Sequence, residues 1–271
     1  MKWADDSIEA HYFTEEGYGR ISAPIDNPEE GIARAEDWLR LQGCTLAYGP
    51  IGASTWTPYR ATLGPFARPM FFGESNFNPN PWVKLGYEVV ATYTSNLAEN
   101  QSQIKSSVAY RAALLKQGWR LLSLNDLDTQ QTLKRCYDIS QRSFSHAFCY
   151  RSISQSDFLA LYQSLLQKID PRLVLFAQCP KGSIVGFCLA YPDIQNPELR
   201  QFILKSLAVA PSYSGQGVGS WLVGEVHRVA EDLGYTNGGI HALMWAGSHS
   251  TKISAHAGIL IRKYALYQKR L

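Results

Sequence analysis

Apolar positions recur in two rhythms along the second half of the chain. Val218, Trp221, Leu222, Val226, Val229, Ala230 and Leu233 fall at helical spacing on one face, and Gly234 follows as a stop. Short apolar, β-branched and aromatic runs at 119–124, 172–179, 183–191, 200–210, 238–245 and 258–268 read as strands. "PKG" at 180–182 makes a hairpin of two of them. Helical patterns cover 127–144, with Asp128 as N-cap, and 154–169, and a short helix covers 250–257. The order from residue 119 onward is β-α-α-β-β-β-α-β-α-β, which predicts an α/β (α+β) sandwich of mixed sheet and helices.

The first half is less regular. Residues 50–82 are rich in Gly, Pro, Ser, Asn and aromatics, which is loop chemistry. Residues 96–116 are polar and then helix-forming, and a domain connector is expected there, dividing the chain into 1–115 and 116–271. Residues 33–55 and 227–251 share an order of helix, Gly stop, strand and small-residue turn, and strand patterns follow at 85–97 and 257–268. Common β/α units would produce such agreement by chance, but three successive elements in the same order favour an internal repeat.

Composition narrows the class. The chain has 271 residues and a net charge of +3, which gives no electrostatic case for nucleic acid. Its five cysteines form no CxxC pair, so neither a disulfide framework nor a zinc site is expected. No apolar run has the length of a membrane span, and acids stand where a leader peptide has its apolar core, so a cytoplasmic protein is expected. The aromatics Trp56, Tyr59, Phe66, Phe71, Phe72, Phe77 and Trp82, with Arg60 and Arg68 between them, read as a packed cover rather than a base-stacking surface.

The stretch "APSYSGQGVGSWL", 210–222, joins a strand to a helix through Gly215, Gly217 and Gly219. Free N–H groups and the helix dipole make such a turn a general anion site. The spacing matches neither G-x-x-x-x-G-K-[ST] nor G-x-G-x-x-G. On its glycines alone, a bare strand-to-helix turn accounts for it.

The wider segment "LAVAPSYSGQGVGSWLVGEV", 207–226, resembles the acetyl-CoA-binding segment of the GNAT acyltransferases. Val209 and Pro211 fit its V-x-P strand end, and Ser214-Gly215-Gln216-Gly217-Val218-Gly219 fits its Q/R-x-x-G-x-G/A turn except at Ser214. The element order over 117–271 and the closing segment from Met244 are also similar to that family. The first half resembles the C-terminal part of a second, truncated or degenerate GNAT-like unit whose aromatic loop covers the cleft. The resemblance implies a bulged strand beside the cofactor and direct attack of an amine on acetyl-CoA. Leu207 and Val209 would then pair with the pantetheine, and residues 214–219 would receive the pyrophosphate. Gln216, Ser220 and Ser248 would stand beside them. The family's usual Glu aligns near Lys205, its Tyr near Ser254 and its Asn near Ser248, so the usual catalytic side chains are absent. His241 and Tyr264 are the preferred substitutes, ahead of Asp193, His249, His256 and Tyr267. Three readings compete: an N-acetyltransferase acting on a small-molecule or peptide amine, an acyl-CoA-binding regulatory module without turnover, and a purely structural sandwich. Residues 1–116 either cover the cleft within one chain or help build a homodimer.

Overall fold

The computed structural model describes residues 1–64, 67–166, 169–255 and 258–271. Its strands are β1 (Lys2–Ala4), β2 (Glu9–Phe13), β3 (Tyr18–Ile21), β4 (Leu46–Gly49), β5 (Ala61–Leu63), β6 (Glu88–Ala98), β7 (Arg120–Ser123), β8 (Val174–Gln178), β9 (Ile184–Pro192), β10 (Phe202–Val209), β11 (Gly239–Trp245) and β12 (Gly258–Arg270). Its helices are α1 (Pro28–Leu41), α2 (Asn80–Lys84), α3 (Asn100–Lys116), α4 (Thr129–Phe144), α5 (Gln155–Leu166), α6 (Val218–Asp232) and α7 (His249–Ala255). The alternation expected after residue 119 is present element by element. Asp128 caps α4, its side chain accepting from the Gln131 N–H at 2.7 Å.

The strands join into a single mixed sheet in the order β1-β2-β3-β4-β12-β6-β11-β10-β9-β8-β7, with β5 on β12. One pattern runs inward from each side. β1, β2 and β3 pair antiparallel, β3 and β4 parallel, and β4 and β12 antiparallel. Likewise β8, β9 and β10 pair antiparallel, β10 and β11 parallel, and β11 and β6 antiparallel. The two central strands cross over. β6 belongs in sequence to the first half but pairs with β11, and β12 follows β11 in sequence but pairs with β4. The matching segments 33–55 and 227–251 are α1–β4 and α6–β11, which hold equivalent places in this pattern.

Helices cover both faces of the second half. Trp221, Leu222 and Val226 of α6 close one core over β8 to β10, and α4 and α5 close the other with Leu133, Ile139 and Phe158. The segment expected as a connector, 96–116, instead ends β6 and forms α3, which lies along α6. Its contact face is small and polar: Gln103 and Ser107 are buried, and Ser107 meets Gly224 of α6. Two helices approach this closely where one of them has no Cβ. An apolar stripe is therefore missing from α3, and only its polarity shows in the sequence.

The aromatic segment is a cover, as expected. Trp56 packs edge-on against Phe144 and Phe158, Phe72 against Tyr191, and Trp82 and Phe71 are buried. The Phe72 N–H donates to Asp193 Oδ1 at 2.9 Å, tying the segment to the end of β9. Phe66 lies outside the described residues. Among the described residues, no helix is long and apolar enough to cross a membrane.

Candidate active site

Strands β10 and β11 share only three register pairs, from Phe202↔Gly239 to Leu204↔His241, and then separate. Both strands are irregular where they part. β10 bulges between Leu204 and Ser206, inserting Lys205, and continues to Val209 paired with β9 alone. β11 loses register between His241 and Met244, and Leu243 there has φ 57°. The Leu243 N–H, turned out of the ladder, donates to Ser95 Oγ at 2.9 Å. The β11 side of residues 205–209 is left without a neighbouring strand, so backbone groups there are open to a ligand, apart from the Val209 carbonyl, which accepts from Ser143 Oγ at 2.9 Å.

The glycine turn stands at the end of this gap. Gly215 and Gly217 have φ of 77° and 81°, and Gly217 is the N-cap of α6. Glycine is favoured at both because L side chains resist this region. No side chain caps the helix, and its first turn holds no acid. The N–H groups of Val218, Gly219 and Ser220 therefore lack helical acceptors and point outward with the positive end of the dipole. Ser214, Gly215 and Gln216 are exposed. Gln216 is turned back, its amide donating to the Ser212 carbonyl at 3.3 Å. A Cβ on Gly219 would lie 3.3 Å from Ile253 Cδ1 of α7, 3.7 Å from Leu207 and 3.9 Å from Val209. The fold thus brings Leu207, Val209, the turn 214–219 and Ser220 to one place. The chemistry present, free N–H groups with open space and an unpaired strand edge, fits a pyrophosphate with an amide-bearing arm. Ser248, before α7, directs its hydroxyl to Ser250 Oγ at 3.4 Å rather than toward the turn.

The corresponding helix of the first half differs. α1 begins at Asn27 and Pro28, with Glu29 and Glu30 in its first turn. Glu29 pairs with Lys84 and Glu30 with Arg34, so the start of α1 is occupied by carboxylates where α6 has none.

His241 and Tyr264, preferred as substitutes on strands bordering the gap, are both enclosed in the structure. His241 is 3% exposed, and its Nε2 lies 2.9 Å from His227 Nε2 on α6. Asn100 donates its amide to the Tyr235 carbonyl and turns Oδ1 to His227 Nδ1 at 2.8 Å. Nδ1 of a neutral His227 therefore carries the proton, His227 Nε2 accepts, and His241 Nε2–H donates. Burial pushes His241 down to about 4, and burial plus its neighbour pushes His227 well below the usual imidazole range. Tyr264 is 0% exposed and sits on β12, with β6 between it and β11. Its hydroxyl donates to Glu74 Oε1 at 2.6 Å and lies 3.2 Å from Ser95 Oγ. Glu74 is also the buried partner of Arg262, at 2.7 Å. Burial and the Glu74 charge raise the Tyr264 pKa. Neither ring reaches a ligand in the gap, so both act in the scaffold. Ser254 is buried and accepts from the Asn96 amide at 3.0 Å. Asp193 is taken up by Phe72 and Asn196, Tyr267 is buried against the first half, and His256 lies outside the described residues.

With this geometry the comparisons agree. Residues 133–254 match the Acetyltransferase (GNAT) family. The matched segment runs from α4 through the bulged β10, the glycine turn and α6 to α7. No curated protein matches the chain. Among solved structures, a GCN5-related N-acetyltransferase from Sphaerobacter thermophilus aligns at 14% identity over 97% of this chain and 76% of its own, with a TM-score of 0.57. A tandem GNAT protein from the clavulanic acid biosynthesis pathway aligns at 10% identity over 97% of this chain and 78% of its own, with a TM-score of 0.53. The glucosamine N-acetyltransferase region of a fungal β-N-acetylglucosaminidase gives 14% identity and a TM-score of 0.58 over 97% of this chain, which spans only 31% of that protein. At these identities the likeness concerns the fold. It extends across both halves, beyond the GNAT match itself, and that match over residues 133–254 is what supports an acyltransferase reading.

Proposed function

We propose that this protein transfers an acetyl group from acetyl-CoA to a primary amine. The observation that carries the reading is the uncapped, acid-free glycine turn opening α6 beside the parted strands β10 and β11. The N–H groups of 214–219 and the Ser220 hydroxyl would hold the pyrophosphate. The open edge at Leu207 and Val209 would pair with the pantetheine amides. Acetyl-CoA supplies an activated thioester carbonyl: the N–C bond forms as the C–S bond breaks, and the amine's proton leaves with the thiol. Two GNAT-like units, 1–115 and 116–271, account for the repeated strand pattern, with carboxylates at the start of α1 in the first unit.

The test is calorimetric titration of the full chain with acetyl-CoA and with CoA, followed by CoA release with an amine panel. Micromolar binding at one site per chain supports the reading, and no binding at millimolar concentration overturns it. A second reading, an acyl-CoA-binding module without turnover, is favoured by the enclosure of His241 and Tyr264. Binding without CoA release on any amine would select it.

A further inference from the structure

On the face of the sheet that carries α4 and α5, Arg60 is held in an unusual state. It is 6% exposed and has φ 74°, with its N–H fixed to the Pro50 carbonyl at 2.9 Å. Its guanidinium carbon lies 3.7 Å from the Tyr59 ring centroid and 4.3 Å from that of Tyr93. Its Nε has no hydrogen-bond partner, and among the described residues no carboxylate pairs with it. Aromatic faces stabilise a buried cation only in part, and a guanidinium with no anion is costly to bury. An arginine in the left-handed region adds strain to that cost. The same aromatic cluster takes in Leu243 and Trp245 of β11, so Arg60 borders the gap.

Lys205 stands at the same gap, on β10. It is the residue that the β10 bulge inserts, and its neighbour Ser206 points to Tyr162 of α5 at 3.4 Å. Its side chain is exposed to solvent. Desolvation and the Arg60 charge both lower the pKa of its ammonium. It too has no carboxylate partner among the described residues. Two cations at one gap, each without a carboxylate partner among the described residues, make an incomplete site.

We propose that Arg60 and Lys205 form the acceptor clamp, and that the amine acetylated here carries a carboxylate. The assignment rests on the acetyltransferase reading above and names its substrate class. Stacking between two tyrosines leaves a guanidinium only its edge, a planar fork that matches two carboxylate oxygens. Lys205, at the bulge where the strands part, supplies the second charge next to the gap. A carboxylate seated there completes the buried arginine and brings an amine of the same small molecule toward the unpaired edge of β10.

The experiment titrates the CoA-loaded full chain with the N-acetyl derivatives of the standard amino acids and with the matching N-acetyl amides. Acetyl-CoA is titrated in parallel against each variant. At least one acid is expected to bind about tenfold or more tighter than its amide, a difference of about 1.4 kcal/mol. Lys205→Glu, at an accessible position that should fold, is expected to abolish that preference while acetyl-CoA affinity stays within about twofold. Arg60→Lys, which keeps the charge but loses the fork, is expected to weaken the acid selectively. If no acid is preferred over its amide, including the case of no acid binding at all, the clamp is overturned. An unchanged preference in Lys205→Glu also overturns it. A chain that discriminates acids but fails to bind acetyl-CoA sinks the acetyltransferase reading and leaves the clamp.

Discussion

Gly215 and Gly217 differ as places to test the anion site. A side chain at Gly217 would run into Tyr110 of α3, whereas at Gly215 there is open space. Aspartate tolerates positive φ better than most residues. Gly215→Asp is therefore expected to weaken acetyl-CoA at least about tenfold by placing a negative charge at the helix start, with the melting temperature nearly unchanged. Equal affinity in that variant, read by calorimetry, would remove the turn as the phosphate site. The His227–His241 pair belongs to this scale too. Both imidazoles are neutral in the folded chain and ordinary in the unfolded one. Protons therefore bind the unfolded state more readily, and stability is fully present above about pH 6.5 and lost as pH falls toward the folded-state value of about 4. His241→Gln keeps a donor toward His227 and should flatten that fall in a melting series from pH 7 to 4. A slope equal to that of the parent chain would argue that other groups set the acid limit.

Among the elements, the α3–α6 contact is the most exacting. Gly224 lies against Ser107, which is buried and bonded to the Ile104 carbonyl at 2.8 Å. Gly224→Ala has helix propensity in its favour, about 1 kcal/mol. Overpacking at a contact this tight costs about 1–3 kcal/mol. The net expectation is a lower melting temperature, by a few degrees for a chain of this size, and Ser107→Gly should relieve it. A stabilised Gly224→Ala variant would show that the helices separate freely. The parting of β10 and β11 is also a property of elements. Each strand has its own bulge at the point of divergence, and Ser95 of β6 holds the turned-out Leu243 N–H.

For the whole molecule, the crossed strands decide what can fold alone. β6 lies between β11 and β12, and β12 between β6 and β4. Residues 116–271 cut free would lack both β6 and α3, leaving β11 with an open edge and α6 with an uncovered face. That fragment is expected to aggregate, or to bind a hydrophobic dye and melt without cooperativity. A sharp thermal transition with native circular dichroism would show instead that the second half is self-sufficient.

The elements of the second half were legible because their signals are local. Helical spacing on α6, the Asp128 cap, the hairpin at 180–182 and the glycine turn each depend on residues near in sequence, where backbone preference and side-chain period act directly. The like order of 33–55 and 227–251 was legible in the same way. What tertiary structure alone decided are the pairings across the chain. α3 carried no apolar stripe because its partner surface is a glycine contact, so its packing was invisible to periodicity. His241 and Tyr264 had suitable chemistry, but His227, 14 residues away from the first, and Glu74, 190 residues from the second, enclose them. Arg60 read as one basic residue in an aromatic loop, and Lys205 as a misfit in a family pattern. Only the fold brings them to the same gap, because the burial of Arg60 and the bulge at Lys205 are set by segments distant in sequence. The chain's own order therefore determined which elements form and where a helix opens on a glycine turn, and long-range packing determined which side chains are enclosed.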